Sequence, residues 1–137
     1  MGILSIVVPV YHNQATLSEL HTRIAATCEG PSRIPFEVIY VNDGSADDSE
    51  TLLMTIAASD ERARIVTLSR NFGSQAAIMA GLAHATGTHV AVIAADLQEP
   101  PEIIADLWRA CQKGPEIALA TRSTRGDPWA SRLFADV

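Results

Sequence analysis

The sequence predicts an α/β domain built on a doubly wound, mainly parallel β-sheet with helices on both faces. Short runs rich in Val and Ile alternate with longer segments of helical periodicity, and strand–helix–strand units require parallel pairing with right-handed crossovers. A polar cluster also follows each predicted strand. Because parallel strands end at one edge of a sheet, we expect these clusters to meet in a single cleft.

Five short apolar runs are the predicted strands, each bounded by Gly, Pro or polar residues. They are residues 4–10, 36–41, 65–68, 90–94 and 117–121. The polar clusters that follow them are residues 11–13, 42–45, 69–71 and 96–98, and Arg122. The whole chain has 137 residues, which is enough for one domain with a sizeable core.

The first two helices are predicted from apolar periodicity and from capping signals at their starts. The first ends near Glu29, and Thr16 with Glu19 has the spacing of a capping box at its beginning. Ser45 and Asp48 have the same spacing before the second helix. We therefore expect the Thr16 hydroxyl to cap the first helix and the Ser45 hydroxyl to cap the second.

The last two helices differ in their patterns. Residues 75–85 are apolar almost all round, which predicts a helix buried between other elements. The fourth helix is predicted to begin at Pro100-Pro101-Glu102, since Pro is favoured at the first helical position. Residues 122–137 are polar and end in a short amphipathic segment at 129–134.

Composition excludes several classes of protein. The net charge is −6 and no run of Lys or Arg is present, which argues against a nucleic-acid partner. Cys28 and Cys111 lack the paired spacing of a metal or redox site, so we expect two buried, reduced thiols and a cytoplasmic protein. No apolar run approaches the roughly 18 residues of a membrane span, and no export signal is recognised.

The fourth strand leads directly into the most informative polar cluster, Asp96-Leu97-Gln98. A carboxylate at the carboxyl end of a central strand lies where open α/β sheets bind ligands. Oxygen ligands of this kind suit Mg²⁺ or Mn²⁺ bridging to a diphosphate. Single signals remain open to simpler interpretations: residues 43–45 also fit a turn with a helix cap, and Arg122 also fits a surface charge.

Taken together and in this order, the motifs resemble the family 2 glycosyltransferases with the GT-A fold. Residues 6–11 look like the opening strand of that family, and residues 41–47 look like its DDGS element. Asn71-Phe72-Gly73 with residues 77–81 is similar to its Asn-aromatic-Gly helix. Residues 96–102 resemble the segment typical of the polyprenyl-phosphate branch, which includes dolichol-phosphate mannosyltransferases and undecaprenyl-phosphate glycosyltransferases.

The resemblance implies a role for each matching residue on the donor side. Pro9 and Tyr11 would flank the base and ribose of a nucleoside-diphosphate sugar, with Asn13 beside them, and Asp43 would hydrogen-bond the base. Asp96 would contact the donor as a catalytic residue. The partner implied is therefore a UDP- or GDP-sugar.

A second set of roles concerns the metal and the acceptor. Asp96 and Gln98 would hold the cofactor, Mg²⁺ or Mn²⁺, on the diphosphate. Arg122, as a catalytic residue, and Arg132 match positions that receive the acceptor phosphate. The reaction implied is a metal-assisted, inverting transfer of a sugar to a polyprenyl phosphate at the inner face of the membrane.

The sequence departs from the family pattern at two places. Ala94 stands where the family has a first acid two residues before Asp96, and His12-Asn13 replaces the usual Asn and acid after the opening Tyr. On this comparison residues 1–121 form the nucleotide-sugar-binding domain, and residues 122–137 form a tail that leads towards an acceptor half beyond this truncated unit.

Two alternative functions stay open. Ala94 would suit a degenerate, non-catalytic nucleotide-binding module. The same fold would also serve a glycosyltransferase with a hydroxyl acceptor such as a polysaccharide. Trp129, Leu133 and Phe134 lack an evident core to join, and they would suit contact with another copy in a homo-oligomer.

Overall fold

A computed structural model describes residues 2–115 with their side chains, and the backbone of residues 117–122 and 131–136. The four central strands are β1 (Leu4–Val10), β2 (Phe36–Asn42), β3 (Ala63–Thr67) and β4 (His89–Val92). The helices are α1 (Leu17–Glu29), α2 (Ser49–Ser59), α3 (Ser74–His84) and α4 (Ile103–Gln112). Two further strands are β5 (Ile117–Arg122) and β6 (Ser131–Asp136).

The central sheet has the order β3-β2-β1-β4, and each of its neighbouring pairs is parallel. Consecutive strands are joined by helices, as parallel pairing requires. The predicted doubly wound, parallel α/β fold is therefore confirmed for these four strands. Every connection from a strand to the following helix leaves the sheet at the same edge.

Helices cover both faces of the sheet, because β1 and β2 are apolar on both sides. Alternate residues of β1, such as Ile6 and Val8, join a core with α1, α2 and α4. Val7 points to the opposite face, where it packs with Ile39 and with Ala77 of α3. Strands buried on both faces read as continuous apolar runs, which explains why β1 and β2 were predicted most closely.

The predicted place of the fifth strand is wrong. β5 does not extend the central sheet but pairs with β6 in a separate antiparallel two-stranded sheet. Periodicity along β5 identifies a strand but not its partner, since partner choice depends on long-range packing. β6 was expected only as an amphipathic tail, because its six residues mix polar and apolar side chains. Trp129 and the side chains of Leu133 and Phe134 lie outside the described residues.

Neither predicted capping box is present. Thr16 is the N-cap of α1, but its side chain makes no capping hydrogen bond. The second helix begins later than expected, at Ser49, with Asp48 as an N-cap that also makes no side-chain bond. The Ser45 hydroxyl instead accepts a hydrogen bond from the His12 N–H at 3.1 Å. Long-range contacts override the local capping preference, since the Thr16 hydroxyl donates to the Ala95 carbonyl oxygen and the Ser45 hydroxyl accepts from His12.

α3 is not buried all round as predicted. Ala77 and Gly81 face the sheet and are buried, whereas Met79 is 66% exposed. A Cβ added at Gly81 would lie 2.4 Å from the Val7 Cγ1, so the small residues of α3 allow a close approach to β1. In the described part of the chain, no helix is both long and apolar enough to cross a bilayer.

Candidate functional site

A cleft of about 290 Å³ opens at the carboxyl edge of the central sheet. It lies where β1, β2 and β4 end and α3 begins, as expected for a doubly wound sheet. Its lining residues are Pro9, Val10, Tyr11, Asn13, Asp43, Asn71, Gly73, Ser74, Ala94, Ala95 and Asp96. The polar clusters after the first four strands therefore meet at one edge, and five predicted donor-site residues line the same cleft.

The loop between β1 and α1 presents the aromatic side of the cleft. Tyr11 is 44% exposed, although the neighbouring end of β1 is fully buried. The Tyr11 N–H donates to the Asn13 Oδ1 at 2.8 Å, which closes a tight turn between them. His12, at the centre of that turn, has a φ of 54°. The turn therefore holds an exposed aromatic face beside the cleft.

This loop is bound to the loop between β2 and α2 by several hydrogen bonds. In addition to the His12–Ser45 bond, the Asn13 N–H donates to the buried Ser49 hydroxyl at 3.0 Å. The Ala46 N–H donates to the His12 Nε2 at 3.0 Å, so this ring nitrogen is an acceptor and the neutral ring carries its proton on Nδ1. These hydrogen bonds fix the β1–α1 loop to the β2–α2 loop.

Asp43 connects the end of β2 to the start of α3. The residue is only 3% exposed, and both of its carboxylate oxygens accept backbone hydrogen bonds. Oδ1 accepts from the Phe72 N–H at 2.8 Å and Oδ2 from the Gly73 N–H at 3.1 Å. A carboxylate near a helix N-terminus also interacts favourably with the helix dipole. Asp43 therefore holds this side of the cleft together as well as lining it.

The N-terminus of α3 opens onto the cleft and was only partly anticipated. Gly73 is the N-cap, with a φ of 98° and no side chain to cap the first turn. Ser74 and Asn71 line the cleft beside it but were not predicted as site residues. The sequence signal for this feature is the Asn71-Phe72-Gly73 motif. A glycine at the N-cap has no side chain to accept from the first turn, so the backbone N–H groups of that turn remain available to an anion.

The segment after β4 carries Asp96, which lines the cleft together with Asp43 and is the exposed one of the two acids. The Asp96 Oδ1 accepts a hydrogen bond from the Gln98 N–H at 3.1 Å, and Leu97 between them has a φ of 62°. Asp96 is exposed and lines the cleft, whereas Gln98 is not among the lining residues. Ala94 lines the cleft with a methyl group, which cannot bind a cation.

The donor set fits a divalent cation only in company with a substrate phosphate. Within the fully described residues, no group of three or more His, Cys, Asp or Glu side chains is placed to hold a metal. Mg²⁺ is commonly bound through one or two carboxylates together with substrate phosphates and water. Asp96 would supply one such carboxylate, and the open cleft beside it leaves room for the remaining ligands.

The predicted acceptor residues are described by their backbone alone. Arg122 pairs with Ser131, and Arg132 pairs with Thr121, so both lie at neighbouring positions in the β5–β6 sheet. Their side chains lie outside the described residues. Because β5 pairs with β6 alone, the expectation that Arg122 follows a fifth parallel strand of the central sheet is wrong, and its contact with the acceptor phosphate stays a prediction.

Comparison with solved structures shows the GT-A fold. A mannosyltransferase of Pyrobaculum calidifontis, solved with GDP-Man and Mn²⁺, superimposes with a TM-score of 0.68 at 22% identity. The alignment covers 79% of this chain and 32% of that one. TarS of S. aureus gives a TM-score of 0.70 at 22% identity, covering 92% of this chain and 38% of that one.

Relatives found by sequence are glycosyltransferases as well. A glycosyltransferase of Synechocystis is 41% identical over 133 residues, which is 96% of this chain and 42% of the relative. An undecaprenyl-phosphate 4-deoxy-4-formamido-L-arabinose transferase of Sodalis glossinidius is 42% identical over 137 residues, covering 96% of this chain and 41% of the relative. The chain thus spans about two fifths of these relatives. Residues 5–135 match the family described as Glycosyl transferase family 2, so the chain belongs to that family.

Proposed function

We propose that this chain is the donor-binding part of a glycosyltransferase that transfers a sugar from a UDP- or GDP-sugar to a polyprenyl phosphate. One observation carries the proposal: a single cleft unites an exposed aromatic ring, a buried acid, an uncapped helix N-terminus and an exposed carboxylate. These groups match the successive parts of a nucleoside-diphosphate sugar. The proposed transfer inverts the configuration at the anomeric carbon.

The nucleoside is proposed to bind between the β1–α1 loop and the end of β2. Tyr11 offers an exposed aromatic face for the base or ribose, and Pro9 and Asn13 lie beside it. Each oxygen of Asp43 accepts one backbone N–H but retains capacity for a second hydrogen bond. A base N–H can therefore bind Asp43 without breaking its contacts to α3.

The diphosphate is proposed to lie between the start of α3 and Asp96. The backbone N–H groups of the first turn of α3, from Ser74 onwards, receive no side-chain cap and favour anions, and Asp96, with Gln98 nearby, would hold Mg²⁺ or Mn²⁺. When bound, this cation would neutralise the charge that develops on the leaving diphosphate. The chain has a net charge of −6, so an anionic donor needs such a cation to offset the surrounding field.

The acceptor is proposed from the names of relatives and from its own chemistry. Relatives are named as undecaprenyl-phosphate transferases, and solved neighbours of this fold hold GDP-Man with Mn²⁺ or UDP. A phosphate monoester is already ionised at neutral pH, so the acceptor requires positioning more than deprotonation. Arg122 and Arg132 are the proposed phosphate contacts, in a protein acting at the cytoplasmic face of the membrane in cell-envelope glycan synthesis.

A non-catalytic nucleotide-binding module is the second candidate, and Ala94 is the observation that favours it. With a methyl group at this position, the cleft has one fewer carboxylate for a cation than the family pattern provides. Such a module would bind a nucleotide without cation dependence. The two candidates therefore differ in a property that can be measured directly.

Titration calorimetry with UDP, GDP and their sugars, in Mn²⁺ and in EDTA, tests the proposal. We expect one nucleotide to bind more tightly in Mn²⁺, and we expect Asp96→Ala to remove that gain and Ala94→Asp to increase it. Glu61→Ala changes an exposed acid in the turn between α2 and β3 and serves as the control. If no nucleotide binds at millimolar concentration, the proposal fails for this chain.

The acceptor requires a second assay. Full-length protein containing this chain would be incubated with its donor and either a short polyprenyl phosphate or a polysaccharide, and nucleotide release would be followed. We expect release with the polyprenyl phosphate. Release with the polysaccharide alone would instead support a hydroxyl-acceptor enzyme of the same fold.

A further inference from the structure

Thr16 occupies a helix-capping position but does not cap its helix. A Thr at the N-cap ordinarily accepts a hydrogen bond from a backbone N–H in the first turn of its own helix. The Thr16 hydroxyl makes no such bond. It donates instead to the Ala95 carbonyl oxygen at 2.6 Å, and it lies 3.3 Å from the Asn13 carbonyl oxygen. Local stabilisation is thus given up for a contact 79 positions away in sequence.

The Ala95 carbonyl belongs to the peptide that carries Asp96. β4 ends at Val92, and the Ile93 N–H makes the last backbone bond to β1, to the Val7 oxygen at 3.1 Å. Among the described residues, the Thr16 hydroxyl is the one hydrogen-bond donor from another segment that reaches residues 94–98. Core packing of Ala95 and this bond therefore hold the peptide before Asp96 together, and the bond ties it to the start of α1.

The segment that carries Asp96 contains a strained residue that its surroundings must hold in place. Leu97 has a φ of 62°, a conformation that costs energy in a residue with a side chain and persists only where the surroundings impose it. Leu97 packs partly against the larger core, and the Asp96 Oδ1 accepts from the Gln98 N–H on its other side. The Asp96–Gln98 bond fixes the turn internally and Leu97 anchors it to the core, whereas Thr16 connects it to the β1–α1 loop of the site.

We propose that Thr16 is a positioning residue that orients Asp96 towards the cation of the bound donor. Thr16 also lies against the Asn13 carbonyl, so it joins the loop that carries Tyr11 to the segment that carries Asp96. The nucleoside and cation contacts are thereby held in one fixed relation. This inference rests on the proposed function, because it assigns a purpose to the proposed role of Asp96.

Thr16→Val tests the inference, since valine keeps the branched shape and removes the hydroxyl. Thr16→Ser is the matched control that keeps a donor. Calorimetry gives the dissociation constant of the nucleotide in EDTA divided by that in Mn²⁺. We expect Thr16→Val to reduce this ratio about tenfold or more, as groups that orient metal ligands commonly do when removed. Thr16→Ser should retain most of the wild-type ratio.

A purely structural role would weaken binding equally in Mn²⁺ and in EDTA and leave the ratio unchanged, and that result would overturn the inference. An equal fall of the ratio in Thr16→Ser would also overturn it. Thr16→Ala serves in place of Thr16→Val should the valine variant not fold, with folding checked by thermal unfolding. If wild-type protein binds nucleotide without any Mn²⁺ effect, this inference fails while nucleotide binding stands. If the wild type binds no nucleotide, the proposed function itself fails.

Discussion

Replacing Asp43 with Asn should measure how strongly the end of β2 holds the start of α3. The carboxylate accepts from the Phe72 N–H at 2.8 Å and from the Gly73 N–H at 3.1 Å, at a position that is 3% exposed. An Asn amide has one oxygen, so one of these N–H groups would lose its acceptor and face an NH₂ group. Hydrogen bonds to a charged group contribute about 1.5–3 kcal/mol each.

The structure indicates which bond would be lost. The Gly73 N–H also donates to the Asn71 Oδ1 at 2.9 Å, so it keeps a partner when Asp43 is changed. The amide oxygen of the Asp43→Asn variant would then remain on the Phe72 N–H, now without the charge. The cost should therefore lie near the lower end of the range, at about 2 kcal/mol of the free energy of unfolding.

Urea unfolding followed by far-UV circular dichroism measures this free energy. Asp48→Asn is the control, because Asp48 is exposed and its side chain makes no capping bond. We expect the control to change stability by less than about 0.5 kcal/mol. The reasoning would be refuted if Asp43→Asn matched the control with an unchanged denaturant slope, since Asp43 would then not hold α3.

Three further predictions concern other parts of the fold. Gly44→Ala should unfold at markedly lower urea, because Gly44 has a φ of 71° and an added Cβ would lie 2.4 Å from the backbone nitrogen of residue 71. Wild-type stability should persist above about pH 4 and fall below it, because the Arg62 guanidinium hydrogen-bonds Asp60 and lowers its pKa well below the usual value. In urea unfolding at a series of pH values, Asp60→Asn should reduce the loss of unfolding free energy below about pH 4. An unchanged loss would contradict the role given to Asp60. Burial raises the pKa of Cys28 to about 12, so native protein at pH 8 should react with iodoacetamide at Cys111 and not at Cys28, as peptide mass spectrometry would show.

The strands and helices with the strongest patterns were predicted closely. β1 is found at the predicted residues, and α1 ends at the predicted Glu29. The parallel order of the sheet follows from the alternation of strands and helices, and it brings Tyr11, Asp43 and Asp96 to one cleft. The bounds of these elements and the parallel sheet could be predicted because apolar periodicity and the alternation of strands and helices are visible in the sequence itself. The roles of the cleft residues remain predictions for the binding experiments above.

The errors share a different origin. Thr16 and Ser45 have capping signals, yet their hydroxyls bind groups 79 and 33 positions away. Cys111 was expected to be buried, but it is partly exposed on α4. At Thr16 and Ser45 a contact between distant segments decides the outcome. Such contacts exist only after the chain has folded and leave no local pattern to detect.

The order of residues alone determined that this chain folds as a parallel α/β sheet with its polar clusters at one edge, because side-chain periodicity and crossover handedness act along the chain. Tertiary structure alone decided that Asp43 holds α3, that Thr16 reaches Ala95, and that β5 leaves the central sheet. Those choices depend on which groups meet in space, since a hydroxyl or a carboxylate bonds to the nearest available partner rather than to the one that local sequence favours.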